Sequence, residues 1–325
     1  MKKLAVIILN WNGLELLKKF LPAASCFTRG EGVKLIVADN GSKDGSIEWV
    51  TKNHPEVEII AFDRNWGFAE GYNKAIARSG YEYTVLLNSD VEVTEGWWEP
   101  LLDYMEKHED TAAVQPKIKS YSNKKMFEYA GAAGGYLDKL GFPFCRGRIF
   151  DKIEEDKGQY DASPMEITWA SGACLMVRTA DYINVGGLDP YFFAHMEEID
   201  LCCRLLRTGK KILFIPYSEV YHVGGASLPQ GNPQKTYLNF RNNLLLLHKN
   251  LPISKGKRLL LARRLVDTLI FFLFIFIGDF KNSKSIIKAH NDFRKMKKRY
   301  PELPKQDFMP RKGFVFIERL KKGFS

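Results

Sequence analysis

Apolar residues in the first ninety positions come in short unbroken runs and not in alternation. LAVIIL (4–9), KLIVAD (34–39), VEIIAF (57–62) and YTVLL (83–87) are the clearest. Between them, residues 14–27 and 69–78 show helical spacing, with Pro22 as a kink or break in the first. Ser42 or Asp44 stands where a helix through Trp49 and Val50 would be capped. Strands apolar on both sides and separated by helices predict a parallel sheet covered on both faces. Such sheets bind ligands beyond the carboxyl ends of their strands. The polar residues at those ends are Asn10, Asn12, Asp39, Asp63, Asn65 and Asp90, all expected on one rim.

The second half is more mixed. Residues 112–118, 127–130 and 168–177 predict further strands, and Gly186-Gly187-Leu188-Asp189-Pro190 predicts a turn. Residues 196–208 predict a helix ended by Gly209, after which 211–216 (KILFIP) and 220–223 (VYHV) return as short strands. From 259 to 280 the chain turns strongly apolar. Its core, TLIFFLFIFIG (268–278), is shorter than the roughly 20 residues a membrane-spanning helix needs.

Charge changes this picture more than composition does. Residues 251–325 hold 19 Lys/Arg against 6 Asp/Glu, or +13 of a chain total of +10, which leaves −3 for residues 1–250. A nearly neutral body thus carries a basic tail, and the division expected is a domain at 1–250 with an extension at 251–325. Eight basic residues and one acid in 281–299 follow the apolar stretch directly. That pairing predicts an interfacial helix on an anionic membrane surface, the alternative being a helix packed on the core. No recognised nucleic-acid module surrounds Phe293, Tyr300 or Phe308, so nucleic acid is not an expected partner. Five cysteines, odd in number and without CxxC spacing, read as reduced thiols of a cytoplasmic protein and not as a disulfide frame or zinc site. The N-terminal apolar run stops at Asn10-Trp11-Asn12, too soon for a signal peptide.

The rim lacks the usual phosphate loops: there is no GxxxxGK[ST], and no GxGxxG follows the first strand. GAAGG (131–135) has neither the spacing nor the position. A phosphorylated ligand there would need a divalent cation, Mg²⁺ or Mn²⁺, held by carboxylates. In VLLNSDVEV (85–93) a buried strand delivers Asp90 to the rim, either as such a ligand or as part of a polar turn.

Seven segments in order, VIILNWNG, VADNGSKDGS, NWGFAEGYN, LLNSD, SGACLMV, GGLDPYFFAHMEEIDLCCR and VYHVGGAS, resemble the inverting glycosyltransferases of family 2, with the GT-A fold. Asn65-Trp66-Gly67-Phe68-Ala69, followed by Gly71 and Asn73, is similar to the rhamnosyltransferase-like branch. The resemblance covers roughly residues 3–250. It implies an α/β nucleotide-diphospho-sugar transferase fold, a mostly parallel central sheet flanked by helices. Asn88-Ser89-Asp90 would stand for the family's DxD, with Asp90 on the metal that bridges the donor diphosphate and Asn88 in place of the usual aspartate. Asp39 would bond the donor's base, and Asn10 and Asn12 would line the nucleotide pocket. Asn65, Gly67 and Asn73 would shape the floor beneath sugar and diphosphate. His222 would be a further metal ligand, or a strand histidine bonded to backbone.

Glu197, Glu198 and Asp200 open a predicted helix, where acids suit the helix dipole. Asp200 and Arg204 are spaced for an i, i+4 ion pair. The resemblance places a general base here, Glu198 with Glu197 as rival, to take the proton of an acceptor hydroxyl. The function implied is transfer of a sugar, rhamnose favoured, from a dTDP- or UDP-sugar to a cell-surface glycan or lipid-linked oligosaccharide, by a peripheral enzyme of the inner membrane face. The alternative is a non-catalytic nucleotide-sugar-binding or assembly protein. A nucleotidyltransferase would need a basic Gly-rich loop after the first strand, which is missing.

Overall fold

The computed structural model describes residues 2–149, 152–224 and 231–301. Residues 225–227 of the last quoted segment, and the tail beyond 301 with Phe308, lie outside them. The chain opens with β1 (Leu4–Asn10), α1 (Leu14–Phe27), β2 (Val33–Asp39), α2 (Ser46–Asn53), β3 (Glu58–Ala61), α3 (Gly67–Ser79) and β4 (Tyr83–Asn88). α1 continues through Pro22 without ending. The alternation then breaks, with β5 (Val91–Val93), α4 (Glu99–Lys107), β6 (Thr111–Ser120), β7 (Gly135–Leu137), β8 (Pro143–Cys145), β9 (Arg148–Ile149) and β10 (Lys152–Ile153). β11 (Met165–Glu166), β12 (Cys174–Arg178), α5 (Thr179–Asn184), α6 (Glu197–Arg207) and β13 (Lys211–His222) follow. Three helices close the described chain, α7 (Pro233–Asn250), α8 (Ile253–Phe276) and α9 (Phe280–Met296).

The main sheet runs β11-β13-β6-β12-β4-β1-β2-β3, with β5 paired to β13. Its β4-β1-β2-β3 half is parallel as expected; β12 enters antiparallel to both β4 and β6, so the whole sheet is mixed. The second-half expectations need correction in three places. Residues 168–173 precede the strand, which starts at Cys174. Residues 127–130 form no strand, Phe127 making only a single bridge to Lys119. The two strands expected at 211–216 and 220–223 are one strand, with a register shift between Ile215 and Glu219. A pleated chain can carry such an irregularity without leaving the sheet. β7–β10 make a small antiparallel sheet.

Unbroken apolar strands are explained by two cores. Ala5 and Ile7 of β1 face one, with Tyr72 and Ile76 of α3 and Leu201 and Leu205 of α6; Leu4, Val6 and Ile8 face the other, with Leu17 and Leu21 of α1 and Leu101 of α4. Each side chain fits the period-2 geometry of a strand buried on both faces.

The last helices join the first of these cores. Phe293 of α9 is 1% exposed, and Tyr237 of α7 donates to Asp292 Oδ2 at 2.8 Å. α8 is pinned by Arg263, whose guanidinium lies 3.6 Å from the Phe142 ring centroid and donates to Asp267 Oδ1 at 3.2 Å. His290 Nε2 of α9 reaches the other Asp267 oxygen at 3.0 Å. Arg263 and Asp267 are buried and His290 half-buried, so the tail packs against the body through one face of α8. Removing one partner of a buried charge pair is costly. Asp267→Ala is expected to lower stability by about 3 kcal/mol, checked by equilibrium denaturation against Asp267→Asn.

Candidate active site

Register sets the rim. Asn10 pairs with Asp39 across β1–β2, and Leu9 with Asn88 across β1–β4, so three neighbouring strands end at one level. Within this rim Asn10 Nδ2 donates to Asp39 Oδ1 at 2.9 Å and to Ser42 Oγ at 3.1 Å, while Ser42 N donates to Asp39 Oδ2 at 2.9 Å. Asn10 and Asp39 are fully buried. These bonds tie the first loop to the second, and Asn10 Oδ1 is buried with no partner among the described residues. The exposed residues of that loop are Asn12 and Trp11, the latter 57% exposed.

The loop before α3 is held by a residue the sequence reading passed over. Asn40 Nδ2 donates to Asn65 Oδ1 (2.9 Å) and Gly67 O (3.0 Å), and Asn40 Oδ1 accepts from Trp66 N (2.9 Å). Its signal was its place beside Asp39 in VADNGS. Gly67 starts α3 at φ 78°, which a side chain would resist. Asn73 is committed elsewhere: its side chain holds both backbone groups of Leu188 and accepts from Tyr182 Oη at 2.6 Å. It braces the 186–190 turn from below.

At one end of the rim, β5 pairs with β13 and brings Asp90 beside His222, a contact no local pattern could show. Asp90 Oδ1 lies 3.1 Å from His222 Nε2, and Glu128 Oε1 lies 3.5 Å from His222 Nδ1. Burial pulls the imidazole down, and hydrogen bonding to Asp90 and Glu128 more than reverses it, to about 10. Among the described residues no group of three or more His, Cys, Asp or Glu is arranged to hold a metal ion. Asp90 and His222 would nevertheless suit a divalent cation, offering it one carboxylate and one imidazole nitrogen. Glu128 would orient the imidazole from its far nitrogen. A proton and a cation compete for the same pair of atoms. Asn88 ends β4, its N–H donating to Ala173 O at 3.0 Å.

That bond leads to the other end of the site. Next to Ala173 is Gly172, where an added Cβ would lie 3.7 Å from Glu198 Cβ and 3.8 Å from Phe68 Cζ. Glu197 is buried and Glu198 half-buried at the start of α6, and one carboxylate oxygen of each has no partner among the described residues. Burial pushes Glu198 up to about 7; burial and the Glu198 charge push Glu197 well above the ordinary range. Asp200 differs. Burial would raise it, but Arg204 and Lys249, each at 2.8 Å, hold it low, and Asn250 donates to its other oxygen at 2.8 Å. The i, i+4 pair is therefore present within a larger buried network.

Two carboxyls held above their ordinary range at the start of α6 and a carboxylate–imidazole pair on β5–β13 both adjoin the end of β4, a set suited to removing a proton and stabilising an anion. Residues 5–142 match the family model for Glycosyl transferase family 2. The chain carries a family 2 glycosyltransferase domain. It is similar to an N-acetylglucosaminyl-diphospho-decaprenol L-rhamnosyltransferase of Mycobacterium tuberculosis, 27% identical over 235 residues, covering 67% of this chain and 75% of the relative. It is also similar to the rhamnosyltransferase WbbL of Escherichia coli K12, 24% identical over 227 residues, covering 67% and 82%. Among solved structures it matches GalNAc-T7 with UDP, GalNAc and Mn²⁺, at a TM-score of 0.64 and 17% identity over 93% of this chain. The chain spans 59% of the length of that structure. The fold is thus GT-A, as expected.

Raising a carboxyl's folded pKa above its unfolded value of about 4.5 makes a stability contribution that is present below pH 4.5 and lost as pH rises through about 7. Glu198→Gln removes that loss. The variant is expected to melt a few degrees above wild type at pH 8 and to converge with it near pH 4.5, read by calorimetry.

Proposed function

We propose that the enzyme transfers a sugar, rhamnose favoured, from a dTDP- or UDP-sugar to a hydroxyl of a cell-surface glycan or lipid-linked oligosaccharide, with inversion. The observation that carries this reading is the Glu198 carboxylate, half-buried beside Gly172 with an oxygen that has no partner among the described residues and a pKa raised to about 7. A base poised near neutrality matches the task of taking a proton from a sugar hydroxyl. Glu197 is the second candidate, more deeply buried. Asp200, neutralised by Arg204 and Lys249, anchors the helix that carries both. Trp11 and Asn12 offer the exposed surfaces at the nucleotide end, the indole face suiting a base ring. A divalent cation on Asp90 and His222 would neutralise charge on the leaving diphosphate. Base and leaving group on opposite sides give direct displacement without a covalent intermediate. The names of the rhamnosyltransferase relatives favour that sugar and, in one case, a polyprenyl-diphosphate-linked acceptor.

Nucleoside diphosphate release and glycan transfer, scanned over dTDP- and UDP-sugars with Mg²⁺ or Mn²⁺, test this directly. Asp90→Ala and Glu198→Gln are each expected to lose at least about 100-fold in kcat. Wild-type kcat/KM is expected to fall tenfold per pH unit below about 7, as the base takes up its proton. Transfer that survives Glu198→Gln moves the base to Glu197.

The membrane reading gains a specific surface. Leu261, Leu265, Leu269, Phe272 and Phe276 recur at helical spacing along α8 and are exposed, Phe276 by 90%. Arg264 of α8 and Lys281, Lys284 and Lys288 of α9 are exposed as well. No described helix is long and apolar enough to cross a membrane, so this face would lie on a bilayer at the cytoplasmic side, drawn by anionic lipid. Leu265→Glu/Leu269→Glu/Phe276→Glu is expected to abolish flotation with anionic vesicles while leaving the melting temperature within about 2 °C. Equal flotation of this variant and wild type would refute the assignment.

A further inference from the structure

The loop that delivers the two glutamates is in a conformation its own residues resist. Phe193, His195 and Met196 have φ of 69°, 68° and 72°, and none is glycine. Side-chain-bearing residues enter this region rarely, because Cβ meets the backbone. Phe193, with ψ −60°, forms the centre of a γ-turn of the rare positive-φ kind, closed by Ala194 N donating to Phe192 O at 2.8 Å. Met196 is the N-cap residue of α6, so Glu197 and Glu198 follow at once. Backbone held in this way persists only where the surroundings over-determine it.

Two neighbouring side chains of α7 supply that determination. Asn242, fully buried, has Nδ2 within hydrogen-bonding distance of three carbonyls: Phe192 O at 2.9 Å, Ala194 O at 2.8 Å and His195 O at 2.7 Å. Arg241 Nη2 donates to Phe192 O at 2.7 Å and to Tyr191 O at 3.3 Å. Arg241 Nε donates to Asn242 Oδ1 at 2.8 Å, so each side chain fixes the other. Four carbonyls of one six-residue loop are therefore gathered onto two adjacent residues some fifty positions away in sequence. Phe192 O alone receives Arg241, Asn242 and Ala194 N, more donors than its two lone pairs need, so the turn is over-determined at its centre.

We propose that Arg241 and Asn242 are positioning residues for the transfer. They hold Phe193, His195 and Met196 at positive φ and thereby set where the Glu198 carboxylate stands relative to the acceptor hydroxyl. This rests on the reading of Glu198 as the base; neither residue needs to touch substrate. The donor end is built from β1, β2 and β4, which α7 does not shape. Loss of the clamp should therefore appear in kcat and spare donor binding.

The test is steady-state transfer by Asn242→Ala, alone and combined with His195→Gly. Displacing a reacting group by about 1 Å costs on the order of 100-fold, so kcat should fall about 10- to 100-fold while donor KM stays within about twofold. His195→Gly should return part of that loss, because glycine takes positive φ without the clamp. Wild-type kcat in Asn242→Ala, or a loss shared equally by donor KM, overturns the proposal. So does a kcat loss that His195→Gly leaves untouched. Should Asn242→Ala fail to fold, Arg241→Lys decides: it keeps the buried charge but loses the fork, and the same split of kcat from KM is expected. If wild type transfers no sugar at all, the function reading fails on its own. The clamp is then judged by amide exchange of 193–198, which Asn242→Ala must accelerate and which an unchanged rate refutes.

Discussion

A strand covered on both faces can place a polar group safely only at its end. Everything in this enzyme's chemistry follows from meeting that constraint three times at one height. β1 is paired in register with β2 on one side and β4 on the other, so Asn10, Asp39 and Asn88 finish together. The parallel arrangement requires helical crossovers, and those crossovers supply the two cores that make the strands unbroken in the first place. The rim is then a polar line above an apolar slab, and whatever binds there meets backbone already fixed by the sheet.

The second half of the chain solves a different problem. It buries two adjacent carboxyls without pairing them to cations, which keeps them more basic than an ion-paired acid. α6 favours acids at its first turn through its dipole, but burial outweighs that contribution. Asp200, three positions after Glu197, shows what happens when cations are supplied: it becomes a structural anchor. The difference between the base and the anchor therefore lies in which acid faces Arg204 and Lys249. Helical geometry decides this, because i+4 from Asp200 is Arg204 and neither glutamate has a cation at that offset.

Local pattern made the first four strands, their crossover helices and the shared rim legible, because an apolar run and a helical period are written in neighbouring residues. It made α6 legible within a residue at each end. What it could not carry were pairings between distant segments. β12 entering antiparallel, β5 setting Asp90 against His222, and α7 gripping the 191–195 carbonyls all depend on tertiary approach. Asn10 and Asp39 illustrate the same limit from inside a motif. Both end their strands as expected, yet Asn10 Nδ2 donates to Asp39, and neither that bond nor their burial is visible in a string of letters.

The packing of the tail has a consequence for regiochemistry. α8 is pinned to the small sheet through Arg263 and Phe142, α9 to α7 through Tyr237 and Asp292, and Tyr300 beyond α9 donates to Asp189 in the turn that precedes the catalytic helix. A transferase on a slack tether samples acceptors at every height and tilt above a surface. Here the outward face of α8 and the carboxylates of α6 belong to one packed body. Were that face to lie on a bilayer, as proposed, the carboxylates would stand at one height above it, and that height would act as a ruler among otherwise equivalent hydroxyls.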